Sequence, residues 1–114
     1  MRARHATAVI RADFTDDRLV YHGLLEAAND LGLSVLGSTK HEFYPQGLTA
    51  VVLLSESHIS IHTYPEEGYA YVDAFTCGDI DPRRVIGALC RMYNGDYVDM
   101  RLEERSRGDD HTDA

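Results

Sequence analysis

Residues 48–76 read Leu48-Thr49-Ala50-Val51-Val52-Leu53-Leu54, then Ser55-Glu56-Ser57, His58-Ile59-Ser60-Ile61-His62-Thr63, Tyr64-Pro65-Glu66-Glu67-Gly68 and Tyr69-Ala70-Tyr71-Val72-Asp73-Ala74-Phe75-Thr76. The first run, Leu48 to Leu54, is almost wholly apolar, as a buried central strand would be. The run from His58 to Thr63 alternates, with Ile59 and Ile61 on one face and His58, Ser60 and His62 on the other. The run from Tyr69 to Thr76 alternates again, setting Tyr69, Tyr71, Asp73 and Phe75 against Ala70, Val72 and Ala74. Pro65-Glu66-Glu67-Gly68 is turn chemistry. Three strands joined by connections this short pair antiparallel.

Working outward, Thr7 to Phe14 alternates loosely through Ala8, Ile10 and Ala12 and reads as a first strand. Thr15-Asp16-Asp17 opens a helix, with side-chain oxygens for its unpaired N–H groups. Arg18 to Leu31 places Leu19, Leu24, Leu25 and Ala28 at helical spacing, and Gly32 ends it. Leu33 to Ser38 and Lys40 to Phe43 read as a second strand broken at Ser38-Thr39, before a turn at Pro45-Gln46-Gly47. Asp81 and Pro82 suit the N-cap and first position of a second helix, with Val85, Leu89 and Met92 as its apolar stripe and Gly95 as its stop. Tyr97 to Leu102 is a last strand, and from about Glu103 the chain is a polar tail expected to fray. The expected fold is α+β: a two-layer sandwich of a mostly antiparallel sheet with both helices on one face, forming a single domain over 1–114. The other face needs cover, and its tyrosines suit a partner chain or a ligand.

A chain of 114 residues and 12.8 kDa supports one core. Nineteen acidic residues against eleven basic ones, a net charge of −8, argue against nucleic acid, which needs a basic patch. The same charge suits a cationic small molecule, and equally an adaptation to salt. No apolar run approaches the ~20 residues that span a bilayer. Met1-Arg2-Ala3-Arg4-His5 leads into a strand rather than a signal segment, so a cytoplasmic protein is expected. Cys77 and Cys90 are too few for a disulfide scaffold and read as free thiols. Lys40 is the sole lysine, which argues against pyridoxal phosphate chemistry.

Reactive side chains are densest at Ser55-Glu56-Ser57-His58-Ile59-Ser60-Ile61-His62. A metal site on His58 and His62 is disfavoured, because four residues of strand span ~13 Å; no metal is expected. A serine hydrolase built from Ser57, a histidine and Asp73 lacks the GxSxG elbow. Ser60 and His58 read most simply as solvated polar residues on a strand face.

The whole string from Leu54 to Asp79 fits the pattern ESHxxxHTxPExGYxxxDxFTCGD. It closely resembles the prokaryotic S-adenosylmethionine decarboxylase proenzyme family. Weaker similarity runs through Glu26-Ala27-Ala28, Leu36-Gly37-Ser38, Pro45-Gln46-Gly47 and the helix after Asp81. The resemblance implies a self-cleaving, pyruvoyl-dependent decarboxylase that makes decarboxylated S-adenosylmethionine for spermidine synthesis. The Ser57 hydroxyl would attack the Glu56 carbonyl, giving a β chain of 1–56 and an α chain of 57–114 that begins with a pyruvoyl group made from Ser57. That ketone would form a Schiff base with the substrate amine, without a lysine. His62 matches the processing histidine, Thr49 a hydroxyl residue that assists processing, and Cys77 the proton donor. Phe43 and Tyr64 match positions lining the adenine pocket, and Glu66 the ribose-binding carboxylate. The family association also implies a homodimer of αβ units.

Two points stay open in the residues. Strict alternation puts Ser57 and His62 on opposite faces of one strand, so either the register resets near the cleavage site or the histidine comes from a neighbouring strand or chain. Ala8-Val9-Ile10-Arg11-Ala12-Asp13-Phe14 lacks the Gly and Cys that the family usually carries in its first strand. That keeps arginine or ornithine as alternative substrates on the same scaffold, and an uncleaved, non-catalytic regulatory homologue as a rival class.

Overall fold

The computed structural model describes residues 2–108. Its elements in chain order are β1 (Ala3–Arg11), α1 (Asp17–Asp30), β2 (Val35–Glu42), β3 (Leu48–Leu54), β4 (Ser57–Tyr64), β5 (Tyr69–Cys77), α2 (Pro82–Tyr93) and β6 (Asp96–Arg105). The six strands form one sheet in the order β2-β3-β4-β5-β1-β6, and every neighbouring pair is antiparallel. Helix α1 lies over β2 and β3, and α2 over β1, β5 and β6. This is the expected α+β sandwich with both helices on one face.

The core lies between sheet and helices. Ile10, Val52, Ile59, Ile61 and Ala74 from the strands meet Leu24, Ala27, Val85, Ile86 and Leu89 from the helices. The two helices cross closely at Gly23, where an added Cβ would sit 2.6 Å from the Tyr93 ring. The Tyr93 hydroxyl donates to the Val20 carbonyl at 2.7 Å, which satisfies the buried phenol. The opposite sheet face carries His5, Asp73, Phe75, His58, Ser60, His62, Tyr64 and Tyr71, and no described helix covers it.

Several local readings are corrected. β1 spans Ala3–Arg11, not Thr7 to Phe14, because Asp13 accepts from the Thr15 N–H and hydroxyl and turns the chain toward α1. Leu19 is exposed; Val20, Gly23 and Ala27 face the core with Leu24 and Ala28. β2 runs unbroken through Ser38-Thr39, with its irregularity at Val35/Gly37 instead, and Ser38 is tied to the Tyr21 hydroxyl of α1. β3 has the expected bounds but is not buried on both faces. Leu48, Ala50, Val52 and Leu54 point inward, while Leu53 is 55% exposed on the open face. β6 continues through the polar residues Glu103, Glu104 and Arg105, which pair with His5, Arg4 and Ala3. The tail expected to fray from Glu103 is therefore strand as far as Arg105, and residues 109–114 lie outside the described residues. Asp81 caps α2 as expected, and Asn94, at φ 54°, closes it one residue before Gly95.

Candidate active site

The hairpin between β3 and β4 turns on two residues, Ser55 and Glu56, and Leu54 pairs with Ser57 across it. Glu56 adopts φ 60°, a left-handed conformation that is unfavourable for a residue with a Cβ. The bond from Glu56 to Ser57 thus leaves a tight, strained, exposed turn. Ser57 opens β4, and its Oγ accepts from the Cys77 N–H at 3.2 Å. Cys77 ends β5 and is half-buried, so two residues twenty apart in sequence meet where two strands finish. Gly78 follows at φ 120°, a conformation that admits no side chain without strain.

A second cluster lies at the other end of the same strands. Thr49 and His62 face each other across β3 and β4, with Thr49 Oγ1 and His62 Nδ1 3.0 Å apart. Phe43, Thr49, His62, Tyr64 and Glu66, together with Gln46 and Gly47, line a cavity of about 430 Å³. Glu66 accepts from the Gln46 side chain at 3.1 Å, which fixes its carboxylate at the rim. The Tyr64 ring stacks on Tyr69, with centroids 5.1 Å apart, and meets Tyr71 edge-on at 5.7 Å. Five residues singled out from the sequence therefore share one cavity.

The two clusters are separate within one chain. His62 lies five residues along β4 from Ser57, about 17 Å at strand rise. β4 keeps continuous register against both β3 and β5, so no bulge turns His62 onto the Ser57 side.

The family model described as S-adenosylmethionine decarboxylase matches residues 6–106. The S-adenosylmethionine decarboxylase proenzyme of Symbiobacterium thermophilum is 41% identical over 110 residues, covering 92% of this chain and 83% of that protein. The proenzyme of Thermotoga petrophila is 40% identical over 94 residues, covering 82% and 72%. The chain belongs to the S-adenosylmethionine decarboxylase family. The crystal structure of the adenosylmethionine decarboxylase from Aquifex aeolicus superposes with a TM-score of 0.82 at 34% identity, covering 92% of this chain and 91% of that one.

Other groups on the open face are engaged in ways the sequence did not suggest. Ser60 donates to Asp73, and Asp73 pairs with His5 at 3.3 Å. The His58 ring stacks on Phe75 at 5.7 Å and 19°. Neither Ser60 nor His58 is simply solvated, which corrects that reading. Asp73 serves His5 and Ser60, not a triad with Ser57. Cys90 sits on α2, where burial raises its thiol pKa above the ordinary value and makes it a poorer thiolate source. Among the described residues no helix is long and apolar enough to cross a membrane. The residue that sequence reasoning missed altogether is Arg4, buried beneath the segment that follows Cys77. An arginine at the start of a strand carries no sequence signal for burial.

Proposed function

We propose that the chain cuts itself between Glu56 and Ser57 and then decarboxylates S-adenosylmethionine as a homodimer of αβ units. The observation that supports the reading is that the expected site residues fall into two clusters, about 17 Å apart along one unbulged strand. Ser57 and Cys77 form one cluster; Phe43, Thr49, His62, Tyr64 and Glu66 form the other. A second chain that supplied its second cluster to this chain's first would complete both sites.

In processing, the Ser57 hydroxyl attacks the Glu56 carbonyl and the amide becomes an ester. Loss of the Ser57 α-proton expels Glu56 as its carboxylate, and hydrolysis of the resulting enamine releases ammonia. The Cys77 N–H orients Ser57 Oγ for the attack, and left-handed Glu56 is freed from strain when its bond breaks. Thr49 and His62, already hydrogen-bonded, would move the proton from the other chain.

The surroundings of Ser57 fit a pyruvoyl group, since the residue directly follows an exposed turn and has a main-chain donor 3.2 Å from its side chain. Once formed, the group supplies a ketone that condenses with the substrate amine and draws electrons from the bond that loses CO₂. Cys77 holds a proton at Sγ for the substrate carbon. Phe43 and Tyr64 offer ring faces to adenine, and Glu66, steadied by Gln46, offers a carboxylate to the ribose hydroxyls. The net charge of −8 favours a cationic substrate, and not nucleic acid. Free Cys77 and Cys90 suit the reducing cytoplasm, where the product would serve spermidine synthesis.

The test is CO₂ release from S-adenosylmethionine, arginine and ornithine, each supplied alone to purified protein. Turnover of S-adenosylmethionine alone is expected. Turnover of only arginine or ornithine would overturn the substrate, and no turnover of any would favour a non-catalytic homologue.

A further inference from the structure

Arg4 lies in β1 with only 5% of its surface exposed, although arginine is almost never buried without reason. Its Nη2 donates to three successive main-chain carbonyls, those of Gly78 at 3.2 Å, Asp79 at 3.3 Å and Ile80 at 3.0 Å. These hydrogen bonds gather the carbonyls of the segment joining Cys77 to α2 around one buried cation. Thr76, 1% exposed, donates its hydroxyl to the same Ile80 carbonyl at 2.9 Å. The Gly78 N–H donates to the Arg2 carbonyl at 2.8 Å.

The segment needs such an anchor because of where Cys77 sits. The last ladder pair between β4 and β5 at this end is His58 with Phe75. The contact from the Cys77 N–H to Ser57 Oγ lies beyond that pair, so Cys77 has ladder support only on its other side, from Ala3 of β1. Gly78, at φ 120°, adds a flexible joint directly after Cys77. Without Arg4, the Gly78 and Asp79 carbonyls would lose this donor and the Ile80 carbonyl would keep only the Thr76 hydroxyl, so the segment would loosen.

We propose that Arg4 is a positioning residue for both steps of the reaction. By clamping residues 78–80 it holds the Cys77 N–H on Ser57 Oγ before cleavage, and holds the Cys77 thiol in place afterwards. The proposal rests on the self-cleavage reading above. It assigns Arg4 no contact with substrate; the residue acts through the main chain of Cys77.

Two readouts test it on the full-length chain. The first is the rate of conversion of newly made precursor into two fragments. Arg4→Met should slow it at least tenfold, while Arg4→Lys, whose ammonium can donate to the same carbonyls, should recover it to within about threefold of wild type. The second is the rate at which iodoacetamide labels each thiol in a Ser57→Ala background. Arg4→Met should speed labelling of Cys77 severalfold and leave Cys90 unchanged. Wild-type cleavage together with an unchanged Cys77-to-Cys90 labelling ratio in Arg4→Met would overturn the proposal. If the wild-type chain is never cut, the self-cleavage reading fails while the labelling ratio still decides whether Arg4 holds Cys77. Should Arg4→Met not melt cooperatively, Arg4→Gln is read in its place; if that too fails to fold, Arg4 is a folding residue and the proposal is wrong.

Discussion

The Cys77 N–H donates to the Ser57 hydroxyl over 3.2 Å, across the ends of two neighbouring strands. The contact joins the residue that would be converted to the residue that would protonate the product, before any chemistry has occurred. Ser57→Ala removes the nucleophile and one hydrogen bond, worth about 1 kcal/mol net. That variant should stay a single chain on a denaturing gel and still melt cooperatively.

Cys77→Ala should part the two steps. Its main-chain N–H remains, so cleavage should proceed near the wild-type rate. The thiol is gone, so CO₂ release should fall by about 10²–10⁴-fold, the usual share of a positioned acid. Full turnover in that variant would remove Cys77 from the mechanism.

The separation of His62 from Ser57 along an unbulged strand makes a prediction about mixtures. A His62→Ala chain keeps its own Ser57 but offers no histidine to its partner; a Ser57→Ala chain does the reverse. Each alone should remain uncut. Refolded together, the His62→Ala chain should be cut, because a Ser57→Ala partner lends it His62. An uncut mixture that light scattering shows to be dimeric would place the histidine's role elsewhere.

Glu66 holds its place through Gln46 at the cavity rim, remote from Ser57. A ribose contact there serves ground and transition states alike. Glu66→Gln should therefore raise KM by about ten- to hundredfold, matching a charge-assisted hydrogen bond of about 1.5–3 kcal/mol, and leave kcat nearly unchanged.

Stability should depend on acid through the cap of α2. Hydrogen bonds from the Arg83 side chain, and then from its N–H, hold the Asp81 carboxyl down to about 2 against the opposing effect of burial. A depressed folded-state value means the contribution is full above the unfolded carboxylate range and is lost as pH falls from about 4 to 2. Thermal melts across that window should show Tm falling less in Asp81→Ala than in wild type, and at pH 7 the substitution should cost about 1 kcal/mol.

What the sequence revealed follows burial. β3, β4, β5 and the cap of α2 were legible because Leu48, Ile59, Ile61, Val72 and Val85 carry the inward half of a clear periodicity. β2 and β6 are edge strands with few buried side chains, so neither Ser38-Thr39 nor Glu103–Arg105 gave an alternation to read. The site residues were legible as a motif, but their division into two clusters was not. Spacing along β4 shows that Ser57 and His62 cannot meet in one strand, yet only continuous register on both sides excludes a bulge. Arg4 escaped notice because its burial depends on a loop more than seventy residues away.

The most direct test of the account is the intact mass of the purified protein. The account predicts two species broken between Glu56 and Ser57, the first ending in an ordinary carboxylate. The second should be lighter by one ammonia than a fragment beginning with serine, the difference between an amino-terminal serine and a pyruvoyl group. A single species at the full-length mass, persisting on long incubation, would contradict it.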